Sequence, residues 1–417
     1  MKIISFNDSH SQNHNLTSTS MIDTKIFNNT KRAFILKSDS DLRRSIFIFR
    51  LMSIPFLVPL LTFFTNLSLK LRLPVEWIIR KTIFAQFCGG ESQEECLPLV
   101  KLMYAKKVHS VLDYSVEGKE TEEDFDKTAN NKIRIIEFAS EAKEIPFAVA
   151  KPTGLGRFKI WQKVSCNEEL SDKEKQEWER IKARFERVCQ AAYNHNTKLL
   201  IDAEESWMQD AADQLCEEMM KKFNREKVII YNTLQCYRWD RLTYTKDLYE
   251  KAKQEGFKLG FKIVRGAYME KENKRAKRKG YPTPICENKE ATDVNFNAVM
   301  TYCLDNLDYI CMFIGTHNEV SSYMALQLLG QKGVSLNDDR IWFGQLYGMS
   351  DHISYNIGAE NSNAIKLLPF GPIRDVVPYL IRRAEENSSV QGEAGRELAL
   401  LLEEKQRRDG QYVKRVE

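Results

Sequence analysis

From about residue 105 onward the chain alternates between two hydrophobic patterns. The first is a set of short, nearly continuous apolar runs: VHSVLDY (108–114), IPFAVAK (145–151), KLLIDAEE (198–205) and KVIIYNTLQ (227–235). The series continues with KLGFKIVRGAY (258–268), DYICMFIGTHN (308–318), RIWFGQLYG (340–348) and NAIKLLPFGP (363–372). A strand buried on both faces requires continuous rather than alternating hydrophobicity, so these eight runs predict a parallel sheet. The second pattern has the helical period. In 171–192, Ser171 and Glu174 form a capping box, and Trp178, Ile181, Phe185, Val188 and Ala192 make one apolar stripe. Ile373, Val376, Val377, Leu380, Ile381 and Ala384 repeat the stripe after the last run. Eight buried strands, each followed by a helix, predict an α/β fold, a (β/α)8 TIM-like barrel over 105–392. The competing topology, a doubly wound open sheet, needs a glycine-rich dinucleotide turn after an early strand. The nearest candidate, Gly154-Leu155-Gly156, lacks the third glycine.

Residues 24–104 read as an N-terminal helical arm and 393–417 as a C-terminal helix or tail. Residues 45–64, SIFIFRLMSIPFLVPLLTFF, are the most apolar stretch, but Arg50, Pro55 and Pro59 interrupt them. The uncharged part is too short to span a bilayer. A buried helical arm is the expectation and contact with a membrane the alternative. Residues 1–23 are polar, lack the apolar core of a secretory signal, and lack the arginines of a transit peptide. They are expected to be disordered or a mis-called start, with Met21 the candidate true start and residues 1–20 preceding it.

Composition narrows the class. With 43% apolar and 11% aromatic residues the chain has ample material for a core, which excludes wholesale disorder. Lys+Arg minus Asp+Glu is 62 − 58 = +4, too mild for a dedicated nucleic-acid binder. The basic run KENKRAKRK (271–279) has no interleaved aromatics and reads as a solvated helix face. Nine scattered cysteines with no CxxC and no zinc-type Cys/His spacing read as free thiols in a reducing compartment. The chain has no P-loop, no GxSxG elbow, no HExxH and no kinase signature.

Candidate chemistry gathers where such a barrel keeps its active site, at the C-terminal strand ends. Asp113 follows strand one, Lys151 strand two, and Asp202 lies within strand three. Asn232 and Gln235 end strand four, Arg265 and Tyr268 strand five, His317 and Asn318 strand six, and Gln345 strand seven. A charge in an apolar strand is costly unless paired or used. Any one of these fits a structural ion pair; seven strands of eight ending this way is harder to assign to pairing alone. On the last helix, Tyr379, Arg382, Arg383 and Glu386 share one stripe. Adjacent arginines at a barrel mouth suit a bidentate grip on a carboxylate, and an exposed Arg382–Glu386 pair is the plainer alternative.

At these residues the sequence resembles the proline dehydrogenase family. The matching stretches are FCGGES (87–92), VLDYSVEG (111–118), LLIDAEES (199–206), NTLQCYRWD (232–240), KIVRGAYMEKE (262–272), GTHNE (315–319), IWFGQLYGMSD (341–351) and LPFGP…YLIRRAEENSSV (368–390). The likeness runs from about residue 24 to 408 and is similar to monofunctional, Bacteroidetes-type versions with no aldehyde dehydrogenase domain. It implies a distorted barrel holding FAD noncovalently and oxidising L-proline to 1-pyrroline-5-carboxylate, with electrons passed to a quinone in proline catabolism. It further implies that Lys151, Arg382 and Arg383 hold the substrate carboxylate, that Asp202 organises the site, and that Lys262 lies near the reactive flavin edge. Ala203, Asn232, Gln235, Arg265, Gly266, Ala267, Thr316, His317, Gln345 and Glu386 match cofactor-binding positions. Tyr268, Leu346, Leu367 and Tyr379 match walls of the proline pocket.

One departure bears on the substrate. The family's K-Y-x-P-[YF]-G motif reads Lys366-Leu367 here, and the resemblance implies that the missing tyrosine borders the substrate ring. Leu367 leaves room for a ring hydroxyl, which makes a hydroxyproline dehydrogenase-type activity on 4-hydroxyproline the alternative. The quinone implies a peripheral membrane role for 45–64. The expected setting is a bacterial cytoplasm at the inner-membrane edge, or the mitochondrial matrix side in a eukaryote. The residues themselves leave open a flavin-free barrel enzyme acting on another anionic substrate, or an inactive scaffold.

Overall fold

The computed structural model describes residues 24–54, 56–71, 73–115, 120–389 and 393–416. The expectation for residues 1–23 therefore lies outside the described residues. Two arm helices, α1 (Asp39–Met52) and α2 (Leu57–Lys70), precede short turns over Glu76–Phe87 and then α3 (Gln93–Tyr104). The barrel begins with β1 (Val108–Tyr114), α4 (Glu122–Ser140), β2 (Phe147–Ala150), α5 (Phe158–Ser165), α6 (Asp172–Asn194) and β3 (Lys198–Ile201). It continues with α7 (Ser206–Phe223), β4 (Ile230–Gln235), α8 (Arg241–Glu255), β5 (Leu259–Val264), α9 (Met269–Lys279), α10 (Lys289–Asp305) and β6 (Ile310–Gly315). The last elements are α11 (Glu319–Gln331), β7 (Ile341–Leu346), α12 (Asp351–Ala359), β8 (Ala364–Phe370), α13 (Ile373–Ser389) and α14 (Glu393–Val416).

All eight strands pair in parallel with their sequence neighbours, and β1 pairs with β8, so the sheet closes. Each predicted run contains one strand, and the capping box of α6 is present, with Ser171 and Glu174 each bonded to the other's backbone N–H. One difference concerns Asp202. It follows β3 rather than lying within it, although its N–H still donates to Ala150 O at 2.9 Å.

The barrel interior is plugged by Val111, Phe147, Val149, Leu200, Tyr231, Phe313, Trp342 and Ile365, all buried. Phe147 meets Tyr231, Phe313 and Trp342 edge-on at 5.5, 5.4 and 5.2 Å. These residues fill the N-terminal part of the barrel. Above them Gly344 admits the ring of Phe313, which an added Cβ would meet at 2.1 Å. A larger apolar layer joins the strands to the surrounding helices. A further cluster binds α1 (Leu42, Ile46, Phe49, Met52) to α13 (Val376, Val377, Leu380) and to Leu400 and Leu401 of α14. Gln86 joins the arm to the barrel, accepting from Ser45 Oγ at 2.8 Å and donating to Gly348 O at 2.7 Å.

The apolar stretch 45–64 departs from its expectation of burial. α1 is buried along one face, but α2 turns away by 105° and, among its described side chains, keeps only Val58 fully covered. Leu60, Leu61, Phe63, Phe64 and Leu67 are exposed. The cause is in the pattern: the apolar side chains of α2 spread around most of the helix, so no single packing partner can cover them. Among the described residues no single helix is long and apolar enough to cross a membrane.

Candidate active site

Strand pleating decides which polar residues face inward. Asp113 shares the parity of Val111, Lys151 that of Val149, Asp202 that of Leu200 and Lys262 that of Gly260, so all four continue the inward-facing rows above the aromatic plug. Lys262 Nζ donates to Asp202 Oδ1 at 2.7 Å, bridging the ends of β3 and β5. Lys132 of α4 lies 3.5 Å from Asp113 Oδ1. Lys132 was not anticipated. The signal was present, since a lysine between Ala129 and Ile135–Ile136 interrupts the buried stripe of α4.

These charges are held by one another. Burial alone would raise the Asp113 carboxyl, but Lys132, Lys151, Ser115 and Lys262 together hold it below the usual carboxylate range. Burial lowers the Lys132 ammonium, and Asp113 opposes the shift. Glu204 behaves differently. Burial pushes its carboxyl up to about 7, although Thr153 donates both its N–H (3.0 Å) and its hydroxyl (2.7 Å) to it. The pair pins the turn that carries Lys151 against the β3 loop. His317 shares a 2.9 Å hydrogen bond between Nδ1 and Ser350 Oγ. Burial, with Lys366 and Arg383 nearby, pushes its imidazole down to about 3, so the ring is neutral at physiological pH.

The stripe on α13 closes over this end. Arg383 donates to Glu386 at 2.6 Å and lies over the Tyr379 ring at 5.2 Å. Glu386 thus pairs with Arg383, the neighbour of the Arg382 anticipated from spacing. Tyr379 Oη and Arg383 Nε are buried with no hydrogen-bond partner among the described residues. Burial raises the Tyr379 hydroxyl, Arg383 opposes the shift, and Asp113 adds to it, which sets the helix within electrostatic reach of β1. Tyr268, half-buried at the start of α9, is likewise raised by burial, with Glu204 and Glu205 adding and Arg382 opposing. Lys151, Arg382, Arg383, Tyr268 and Tyr379 therefore converge on one mouth. Leu346 and Leu367 are register partners on β7 and β8 beside it, both partly covered.

Other predicted residues are committed to the scaffold. Asn232 faces the helix layer, donating to Asp213 at 2.9 Å and accepting the N–H of Thr233. Gln345 does the same, between Thr316 O (3.0 Å) and Ser354 Oγ (2.7 Å). Each of these two sits one position out of the inward-facing row and spends its side-chain amide on the scaffold. Arg265 spends all three guanidinium nitrogens on Asp293, Thr316 and Ser321, at 2.6, 2.8 and 3.0 Å. Gln235, buried at the end of β4, donates to Glu204 O at 2.6 Å. Ala203 lies half-buried between Asp202 and Glu204. Gly266 and Ala267 are exposed directly after β5. Gly266 has φ +131°, and an added Cβ would meet the Tyr237 ring at 2.6 Å, so only glycine gives this bare, close-lying backbone. That backbone, the Lys262 ammonium and His317 are the groups that could hold a planar cofactor. A cavity of about 710 Å³ opens at the opposite end of the barrel and contains none of the predicted site residues.

A family model described as proline dehydrogenase matches residues 96–396. The carbapenem antibiotics biosynthesis protein CarD of Pectobacterium carotovorum is 37% identical over 322 residues, covering 77% of this chain and 83% of that protein. Proline dehydrogenase 1, mitochondrial, of Dictyostelium discoideum is 29% identical over 425 residues, covering 91% and 74%. Among solved structures, proline utilization A from Bdellovibrio bacteriovorus inactivated by N-propargylglycine superposes with a TM-score of 0.71. At 19% identity, covering 91% of this chain and 43% of that one, it shows a shared fold.

Proposed function

The chain belongs to the proline dehydrogenase family, and on that footing we propose that it oxidises L-proline to 1-pyrroline-5-carboxylate. The reaction removes a hydride from the ring carbon next to nitrogen and a proton from nitrogen, leaving a C=N bond. The observation that carries the reading is the pair of orphaned buried atoms, Tyr379 Oη and Arg383 Nε, on the helix that also presents Arg382. Buried donors without partners are rare unless a ligand completes them.

Lys151 from β2 and Arg382 and Arg383 from α13 bind the carboxylate from two sides. Fixing one end of a small rigid ring is worth several kcal/mol of barrier when it leaves the reacting carbon positioned. The same cations disfavour a second positive charge, so they depress the substrate's amine pKa and favour the neutral nitrogen that hydride loss requires. Tyr268, Tyr379, Leu346 and Leu367 exclude water around the ring. The site residues fit FAD: the Gly266–Ala267 backbone admits a flat ring, Lys262 is a cation fixed by Asp202, and His317 is a neutral hydrogen-bonding group. Bound there, FAD would supply the two-electron acceptor, and Lys262 would favour negative charge beside it. Electrons then pass to a lipid-soluble quinone. The exposed apolar face of α2 supports contact with a membrane surface.

The test is anaerobic mixing of the purified yellow protein with L-proline. Loss of flavin absorbance, recovered on adding a dye acceptor, is expected. A colourless protein that cannot be reconstituted with FAD, or no reduction by either imino acid, refutes the reading. Leu367 favours 4-hydroxyproline as a second substrate, because it sits at the mouth with no polar atom and less bulk than tyrosine. Leu367→Tyr is expected to shift the ratio of kcat/KM values for L-proline and trans-4-hydroxy-L-proline toward proline by about tenfold, some 1.4 kcal/mol. An unchanged ratio removes Leu367 from substrate selection.

A further inference from the structure

Between α1, α2, the turns after Glu76 and α13 lies a second cavity, of about 290 Å³. Its walls include Phe47, Ile48, Leu61, Ile79, Leu380 and Ile381, and among the described residues no charged side chain lines it. Among the described residues three threonines supply its only hydroxyls, and that of Thr82 is spent on Ile78 O at 2.6 Å. Such walls cannot hold a charged headgroup, but they suit a hydrocarbon chain. At about 30 Å³ per solvent-sized group, the volume accommodates roughly ten, the size of two prenyl units.

Two further observations say where such a chain comes from. The cavity's rim, at Phe47, Leu61 and Ile78, runs into the exposed face of α2. From Leu42 to Val75 the sequence carries Arg43, Arg44, Arg50, Lys70 and Arg72 and no acidic residue. Exposed apolar side chains within a cationic stretch are the signature of a helix lying in an anionic lipid interface. The inner wall is α13 itself. Val377, Leu380, Ile381 and Ala384 line the cavity while Tyr379, Arg382 and Arg383 on the same turns face the mouth, so one helix, roughly 10 Å across, separates the two.

We infer that this groove is the binding site for the hydrocarbon tail of the lipid-soluble electron acceptor, drawn from the membrane and held against the back of the substrate-clamping helix. This rests on the redox reading above, so its test reads binding and needs no turnover. Trp77, exposed beside the groove-lining Ile78 and Ile79, is the reporter. Purified protein is titrated with a benzoquinone bearing two prenyl units and with the same headgroup lacking a tail, following the tryptophan quenching that Trp77→Phe abolishes.

The tailed quinone is expected to saturate at a Kd at least tenfold below the tail-less one. Thr62→Phe, which fills the groove, and Leu61→Lys, which charges its rim, should each erase that difference while dye-linked proline oxidation stays at the wild-type KM. Equal Kd values overturn the inference. So does a tail preference surviving both variants, because the tail then sits elsewhere. Anionic vesicles without quinone that block the tailed quinone from Trp77 would assign the groove to a membrane lipid. A Trp77 signal that tracks dimerisation on dilution would assign it to a second copy of the chain. Either result also overturns it. Binding without proline oxidation would leave the groove standing and refute the catalytic reading alone.

Discussion

The two ends of the barrel are both rich in charge, yet they use it in opposite ways. At the N-terminal end Lys198 pairs with Asp339, which is 76% exposed, and Arg340 faces Asp308, which is 97% exposed. Lys198 also lies 5.4 and 5.0 Å over the Phe147 and Trp342 rings, so its stem and charge cap the aromatic plug. At the C-terminal end Asp113, Lys132, Lys262 and Glu204 are largely withdrawn from water. Solvated pairs cost little to keep and contribute little. Buried ones are expensive, and the fold retains them only where each has a partner or a ligand to complete it. Charge count therefore does not distinguish the ends; the solvent around the charge does.

The sharpest way to break this comparison is at Arg383, whose buried Nε has no partner among the described residues. Arg383→Met should raise KM for L-proline by about a hundredfold, as expected for losing charge-assisted bonds of up to about 3 kcal/mol, while flavin content is unchanged. An unaltered KM in steady-state assays would remove Arg383 from the carboxylate grip. Next in size is Asp202→Asn, which leaves the Lys262 ammonium buried against a neutral amide. It should cost on the order of 3 kcal/mol, read as a lowered midpoint in denaturant melts, and Lys262→Met added to it should recover part of the loss. Additive losses in the double variant would show that the two side chains are not coupled.

A smaller effect concerns the seam between barrel and C-terminal helix. His352 Nε2 lies 3.0 Å from Glu319 and Nδ1 3.6 Å from Glu397 of α14. Burial alone would lower this imidazole, but the two carboxylates outweigh it and hold it at about 9, above its ordinary 6.5. Because the folded value is raised, the stabilisation is fully present below pH 6.5 and is lost as pH rises through about 9. Tm should fall over that window, and His352→Gln should flatten the fall; parallel curves for the two proteins would exclude the histidine as its source. Smallest of all is Asp339→Ala at the opposite end. It should change stability by less than about 1 kcal/mol and leave KM and kcat untouched. A large loss of activity would contradict the contrast between the ends.

Much of this was legible in the chain. Runs such as IPFAVAK and RIWFGQLYG have no polar alternation, and each holds a strand covered on both faces. Asp113, Lys151 and Asp202 were conspicuous because a charge stands out in an apolar run, whereas Lys262 was pointed to only by the family resemblance. Facing was less legible. Asn232 and Gln235 both lie on β4, and only the pleat shows that the first bonds to Asp213 on α7 while the second reaches Glu204 above the barrel. The arm was least legible, since a helix apolar around most of its surface announces hydrophobicity without saying which side is covered.

By itself, then, the sequence determined the succession of strands and helices and the chemical kinds gathered at the strand ends, because period and charge placement are local properties. Only the tertiary structure decided which of those ends point inward, that Lys132 joins Asp113, that Arg383 meets Glu386, and that much of α2 stays exposed. Those outcomes depend on strand register and on which surfaces meet across dozens of residues of chain, and no window of sequence contains the partner that settles them.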